Sequence, residues 1–196
     1  MATISKMNCM IDTQVVFLNG ASSSGKTSLA RALQCQLEQP FIHFAEDMFF
    51  SARPIREYSL AEDLYYGSRL YNGFTQCVRT MVNCDNRVIV DTVAWTPGSL
   101  AGYVIALWDI NVFAVGIHCA IDILENRERQ RKDRPIGLAK RQNDLVHRNA
   151  LYDLEIDTSN IDIDMCAKRI VNAVNMHTSQ HAFAQMKHRI DDGWMV

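Results

Sequence analysis

The stretch from Val15 to Ser28 constrains this chain more than any other. A short apolar run, Val15-Val16-Phe17-Leu18-Asn19, enters Gly20-Ala21-Ser22-Ser23-Ser24-Gly25-Lys26-Thr27-Ser28. This is G-x-x-x-x-G-K-[ST] set between a strand-like run and a helix-forming segment, the context that makes it a phosphate-binding loop. The two glycines free the backbone to turn successive N–H groups toward phosphate oxygens. Lys26 can reach the outer phosphates of a nucleotide, the Thr27 hydroxyl can ligate Mg²⁺, and the following helix adds its positive end. The plain alternative is a chance match in a Gly/Ser turn, and the flanking strand and helix patterns argue against it. All nine residues from Gly20 to Ser28 are therefore candidate nucleotide contacts.

The rest of the composition bounds the fold. The 196 residues fit a single domain (1–196), with a ragged start over 1–13 and an extension over 178–196. A net charge of −2 supplies no global attraction to nucleic acid or to an anionic membrane. No signal peptide is evident, and no run approaches the ~18 apolar residues needed to span a bilayer. A cytoplasmic location follows as an expectation. The six cysteines form no C-x-x-C pair and sit mostly in apolar segments, so reduced core thiols are expected.

Periodicity then lays out alternating elements. Strands are expected at Val15–Leu18, Phe41–Phe44, Arg87–Asp91, Asn111–Ile117 and Tyr152–Asp157. Helices are expected at Thr27–Leu37, Ser59–Val82, Pro97–Leu107, Ile121–Arg131, Leu138–Arg148 and Ile163–Met176, with one more in the tail. Strands alternating with helices predict an α/β fold: a five-stranded parallel sheet with helices on both faces, three layers in all.

Three features narrow the chemistry. Asp91 ends an apolar strand, where such proteins hold Mg²⁺ directly or through water; a surface acid at a strand end is the alternative. Arg127, Arg131 and Arg134 lie in a charged stretch broken by Pro135 and Gly137. Guanidinium groups stabilise charge spreading over a transferring phosphoryl group, and a segment carrying them can serve as a lid that excludes water. A solvated charged helix is the competing reading. Asp47 follows a strand end, where active sites of open α/β sheets lie, and can orient an acceptor hydroxyl and take its proton. Glu46 competes for that role; if strand geometry persists, only one of the pair can face the site. Met48, Phe49, Phe50 and Trp95 offer an apolar wall for an acceptor, or plain core packing.

In four blocks the chain resembles the chloramphenicol phosphotransferase family of P-loop kinases. These are the serine-rich loop, Phe44-Ala45-Glu46-Asp47, Arg87 to Val93, and Gly116-Ile117-His118-Cys119 running on to Asp157-Thr158. The likeness implies ATP and Mg²⁺, transfer to a hydroxyl of an antibiotic-like small molecule, Asp47 as the catalytic carboxylate, and Arg131 and Arg134 as lid arginines. It also implies a nucleotide site that includes Asp157 and Thr158 near the adenine. Thr92 replaces a second family acid, the segment from Asp47 to Arg87 is shorter than expected, and the tail beyond His177 has no recognised counterpart. Other readings stay open: a kinase of a metabolite or sugar nucleotide with a shikimate-kinase-like or toxin-kinase-like core, or a non-catalytic nucleotide-binding interaction protein. Oligomeric state is left open.

Overall fold

Strand β1 (Val15–Gly20) is buried at all six positions, which is why its sequence shows no polar alternation. In the computed structural model, which describes residues 13–131, 136–176 and 181–194, it is the middle of a parallel sheet. Its companions are β2 (Phe41–Ala45), β3 (Arg87–Thr92), β4 (Val112–His118) and β5 (Leu154–Asp157), in the order β2-β3-β1-β4-β5. The predicted α/β architecture with five parallel strands is present.

Helices cover both faces. On one, α1 (Lys26–Gln36) and α7 (Ile163–Met176) bury Leu29, Leu33, Ile170 and Val174 against Val16, Leu18 and Val115. On the other, α3 (Leu60–Asn83), α4 (Pro97–Leu107) and α8 (Ala182–Asp191) pack Phe74, Tyr103 and Phe183 against Phe17 and Val90. Both α3 and α4 start with reciprocal side-chain caps, Ser59 with Glu62 and Thr96 with Ser99. The tail helix α8 is thus part of the core; Ala182, Phe183 and Met186 are all buried.

Strand register sets where the site forms. Leu18 pairs with Asp91, Asn19 with Thr92, Ala45 with Asp91 and Gly20 with Ile117. The carboxyl ends of β1, β2 and β3 therefore finish level, and the loops leaving them share one edge.

Several expectations shift. The chain does not stay extended after β2 but turns at once into a short helix, α2 (Glu46–Ser51). Helix α5 (Ile121–Gln130) stops one residue before Arg131, which is extended. Helix α6 covers Leu138–Asn143 rather than running to Arg148, and β5 starts at Leu154 rather than Tyr152. There the Asp153 N–H donates to the Ala114 carbonyl, and the Asp153 carboxylate accepts the Ala114 N–H. Among the described cysteines, Cys119 and Cys166 are buried, but Cys35 and Cys84 are exposed, against the expectation of core thiols. All five described cysteines are free thiols.

Candidate active site

The loop after β1 has the backbone its sequence calls for. Gly25 takes a left-handed conformation at φ 92° and Ser23 one at φ 64°. At Gly20 a Cβ would come within 2.5 Å of the Ile117 carbonyl oxygen, so the loop can leave β1 this close to β4 only with glycine. Lys26 is buried, and its ammonium donates to the Ala21 carbonyl at 2.8 Å. Gln142 of α6 accepts the Ser22 N–H at 2.9 Å, and the buried Thr158 hydroxyl donates to the Ser24 carbonyl at 2.7 Å. Two loop hydroxyls, Ser23 Oγ and Ser24 Oγ, are buried with no hydrogen-bond partner. Ser23 lines the cleft, and its orphaned hydroxyl fits an anionic ligand such as a phosphate.

Asp91 and Thr27 meet beside this loop. The Thr27 hydroxyl donates to Asp91 Oδ2 at 2.7 Å, and His43 Nε2 lies 3.3 Å from the same oxygen. Burial opposes the charged carboxylate of Asp91. Hydrogen bonds from His43 and Thr27, with the Lys26 charge, outweigh that and leave its pKa below the ordinary value. A hydroxyl and an ionised carboxylate are hard oxygen donors, and so fit Mg²⁺.

The loop, the carboxylates and the end of α5 line one cleft of about 640 Å³. Ser22, Ser23, Gly25, Lys26, Thr27 and Ser28 form one wall; Glu46, Asp47, Phe50, Thr92, Val93 and Trp95 form another. Arg127, Gln130, Arg131, Gln142, Ile163 and Asp91 also line the cleft.

Because α2 is helical, Glu46 and Asp47 both reach the cleft, which the strand-based reading did not allow. Their surroundings differ. Asp47 is exposed, whereas Glu46 accepts hydrogen bonds from the Thr92 hydroxyl and the Val93 backbone. Burial raises the Glu46 pKa despite those bonds.

The arginines also differ from one another. Arg127 is fixed: it donates to the Thr158 carbonyl at 2.9 Å and contacts Cys119 Sγ at 3.4 Å. Arg131 is exposed at the end of α5 and lines the cleft. Arg134 lies outside the described residues. Glu128, 1 % exposed, ties the start of α6 to α5: its two oxygens accept the Gly137 and Ala139 N–H groups at 2.7 Å each.

Of the expected nucleotide contacts, Gly20, Ala21, Ser24, Asp157 and Thr158 do not line the cleft. Thr158 braces the loop, and the Asp157 carboxylate caps the Ser159 N–H at 2.8 Å. Of the proposed apolar wall, Phe50 and Trp95 line the cleft, Phe49 packs edge-on against Phe74, and Met48 is 60 % exposed. His43 and Ile163 escaped the sequence reading, Thr92 stood there only as the replacement of a second family acid, and Gln142 only as part of the last matching block. Asn19 escaped it too, although its placement straight after the β1 run was the available signal. Buried at the end of β1, Asn19 accepts the Ala94 N–H at 2.8 Å and donates to the Val146 carbonyl at 3.1 Å, tying the loops on both flanks of the site.

Comparison with known proteins agrees with this geometry. Residues 13–175 match the family described as chloramphenicol phosphotransferase-like protein. A relative from Mycobacterium tuberculosis strain H37Rv, named "Putative O-phosphotransferase", is 26 % identical over 214 aligned positions, covering 95 % of this chain and 93 % of its own. Among solved structures, the M. tuberculosis APS kinase CysC, in complex with AMPPNP and APS, superposes with TM-score 0.62 at 18 % identity over 83 % of this chain and 98 % of its own. The Deinococcus radiodurans tunicamycin resistance protein gives 0.59 at 16 % identity, over 86 % and 98 %. A Sinorhizobium meliloti gluconokinase gives 0.57 at 14 % identity, over 93 % and 98 %. These structures share the P-loop kinase fold. With the family match spanning the sheet, the loop and the carboxylates, the chain belongs to the chloramphenicol phosphotransferase-like family and is a phosphotransferase.

Proposed function

We propose that this protein is an ATP- and Mg²⁺-dependent kinase that phosphorylates a hydroxyl group of a small, largely uncharged, antibiotic-like molecule. The observation that carries the reading is the single cleft joining Lys26, Thr27 and Asp91 on one side to Asp47 on the other. The first three suit the triphosphate and its metal. Asp47 suits the acceptor.

The chemistry follows from those positions. The acceptor oxygen attacks the γ-phosphorus, the bond from that phosphorus to the β–γ bridging oxygen breaks, and ADP leaves with the electron pair. Asp47 orients the hydroxyl and takes its proton, which passes to solvent. Because the transition state is loose, most of the benefit of Asp47 comes from positioning. Lys26 and Arg131 offset charge on the phosphoryl oxygens, with Arg134 as a further candidate from the lid. Thr27 and Asp91 would hold Mg²⁺, which supplies neutralisation of phosphate charge. Ser22 to Ser28 bind the phosphates, and Thr158, through Ser24, holds that loop in shape.

The acceptor wall favours an uncharged molecule over an anionic metabolite. Glu46, Asp47, Phe50, Val93 and Trp95 supply carboxylates and apolar surface, and the cationic lining residues lie on the nucleotide and lid sides. An anionic acceptor would meet carboxylates where it needs a cation.

The test is a phosphorylation screen of hydroxylated small molecules, chloramphenicol and anionic sugars included, with Asp47→Asn as the blank. Products among uncharged acceptors, absent from the blank, support the proposal. Products restricted to anionic acceptors transfer the reading to a metabolite kinase. ATP binding without any product returns it to a nucleotide-binding interaction protein.

A further inference from the structure

Glu46 is bonded to the end of β3, and Asp47 is its immediate neighbour in α2. Helix α2 is six residues long and buries none of them fully. A helix this short has no independent stability and takes its orientation from what holds it. No side chain caps its N-terminus. Phe49 rests edge-on against Phe74 at 5.1 Å, which secures the far end.

At the near end, Glu46 is bonded to the end of β3. Tyr103 of α4, fully buried, donates to the Thr92 hydroxyl at 3.0 Å, and Thr92 donates onward to Glu46 Oε2. Tyr103 lies 3.4 Å from the same carboxylate oxygen, and the Val93 backbone adds another bond. The donors all point toward Glu46, so the anchor needs an acceptor oxygen there, not a negative charge.

We infer that Glu46 is a positioning residue: by binding Thr92 and Val93 at the end of β3, it sets the rotation of α2 and so the place of Asp47 relative to the loop and Asp91. Consecutive helix residues lie about 100° apart, so a small roll of α2 displaces the Asp47 carboxylate sideways. A misplacement of about 1 Å at a reacting group costs on the order of 10²-fold in rate. The inference rests on the kinase reading and on the role of Asp47 within it.

The experiment compares Glu46→Ala, Glu46→Gln and Thr92→Val. Glu46→Ala lowers kcat by about 10²-fold and leaves the KM for ATP within about twofold. Glu46→Gln keeps the acceptor oxygen and restores kcat to within about fivefold of wild type. Thr92→Val lowers kcat, and combining it with Glu46→Ala adds little, because both break one chain of bonds. A Glu46→Gln enzyme as slow as Glu46→Ala would overturn the inference and make Glu46 the proton acceptor; unchanged kcat in Glu46→Ala would overturn it too. Amide exchange over residues 46–51 gives a readout independent of turnover: faster in Glu46→Ala, close to wild type in Glu46→Gln. If no acceptor is phosphorylated by wild type, the kinase reading fails, and the exchange data still decide whether Glu46 holds α2. Exchange unchanged in Glu46→Ala removes the anchor.

Discussion

The Thr27 hydroxyl donates to Asp91 Oδ2 over 2.7 Å, tying the end of the phosphate loop to the end of the adjacent strand. In the nucleotide reading, both groups would hold Mg²⁺. Asp91→Asn should raise the Mg²⁺ concentration needed for half-maximal turnover by about tenfold or more. Its stability effect has a defined sign. The folded pKa of Asp91 is below its ordinary value of 3.8, so its contribution is complete above about pH 4 and is lost as pH falls through the folded pKa. Urea unfolding from pH 5 downward should therefore show a shallower acid decline in Asp91→Asn.

Lys26→Ala should lower kcat by about 10²-fold or more and weaken ATP binding, as expected for loss of a cation aimed at developing phosphate charge. Steady-state kinetics with nucleotide titration check it. Full activity would remove the phosphate-loop argument, however well its backbone matches.

His147 stacks on His118 at a ring separation of 3.9 Å, and its Nδ1 lies 2.9 Å from the Tyr152 hydroxyl. Burial, reinforced by His118, lowers its pKa from 6.5 to about 4. Below pH 6.5 the unfolded chain binds a proton that the folded chain refuses, so stability falls as pH drops toward 4, by up to about 1.4 kcal/mol per pH unit. His147→Gln should flatten that slope in denaturant unfolding between pH 7 and 4. An unchanged slope would assign the proton uptake to other groups.

Phe183 tests the tail. It is 3 % exposed and meets Phe17 of β1 edge-on at 5.1 Å. Phe183→Ala should cost about 3–4 kcal/mol in chemical unfolding. Removing everything after Met176 also strips Ala182 and Met186 from the core, so a truncated chain should fold poorly rather than merely lose an extension.

How much of this was legible in the sequence depends on the range of the interactions involved. The loop from Gly20 to Ser28 and the acids Asp91 and Asp47 stand out through local spacing and through their place at or just after apolar runs. The fold followed from the same alternation of short apolar runs and amphipathic helices. Helix α2 was hidden because it follows an apolar strand with no intervening turn residue, and the hydrogen bond that Glu46 accepts from Thr92 spans 46 positions. Gln142 is a similar case: it meets Ser22 across 120 positions. The tail helix was legible as a helix but not as core, since an amphipathic face does not say what it packs against.

The most direct test of the central claim measures transfer of the γ-phosphoryl group from ATP to a hydroxylated acceptor by wild type and Asp47→Asn at saturating ATP, with ATP affinity measured in parallel. The account requires a phosphorylated product from wild type, ATP binding within about twofold in the variant, and turnover lower by about 10²-fold. Equal turnover in the two proteins, or tight ATP binding with no transfer to any acceptor, would contradict it.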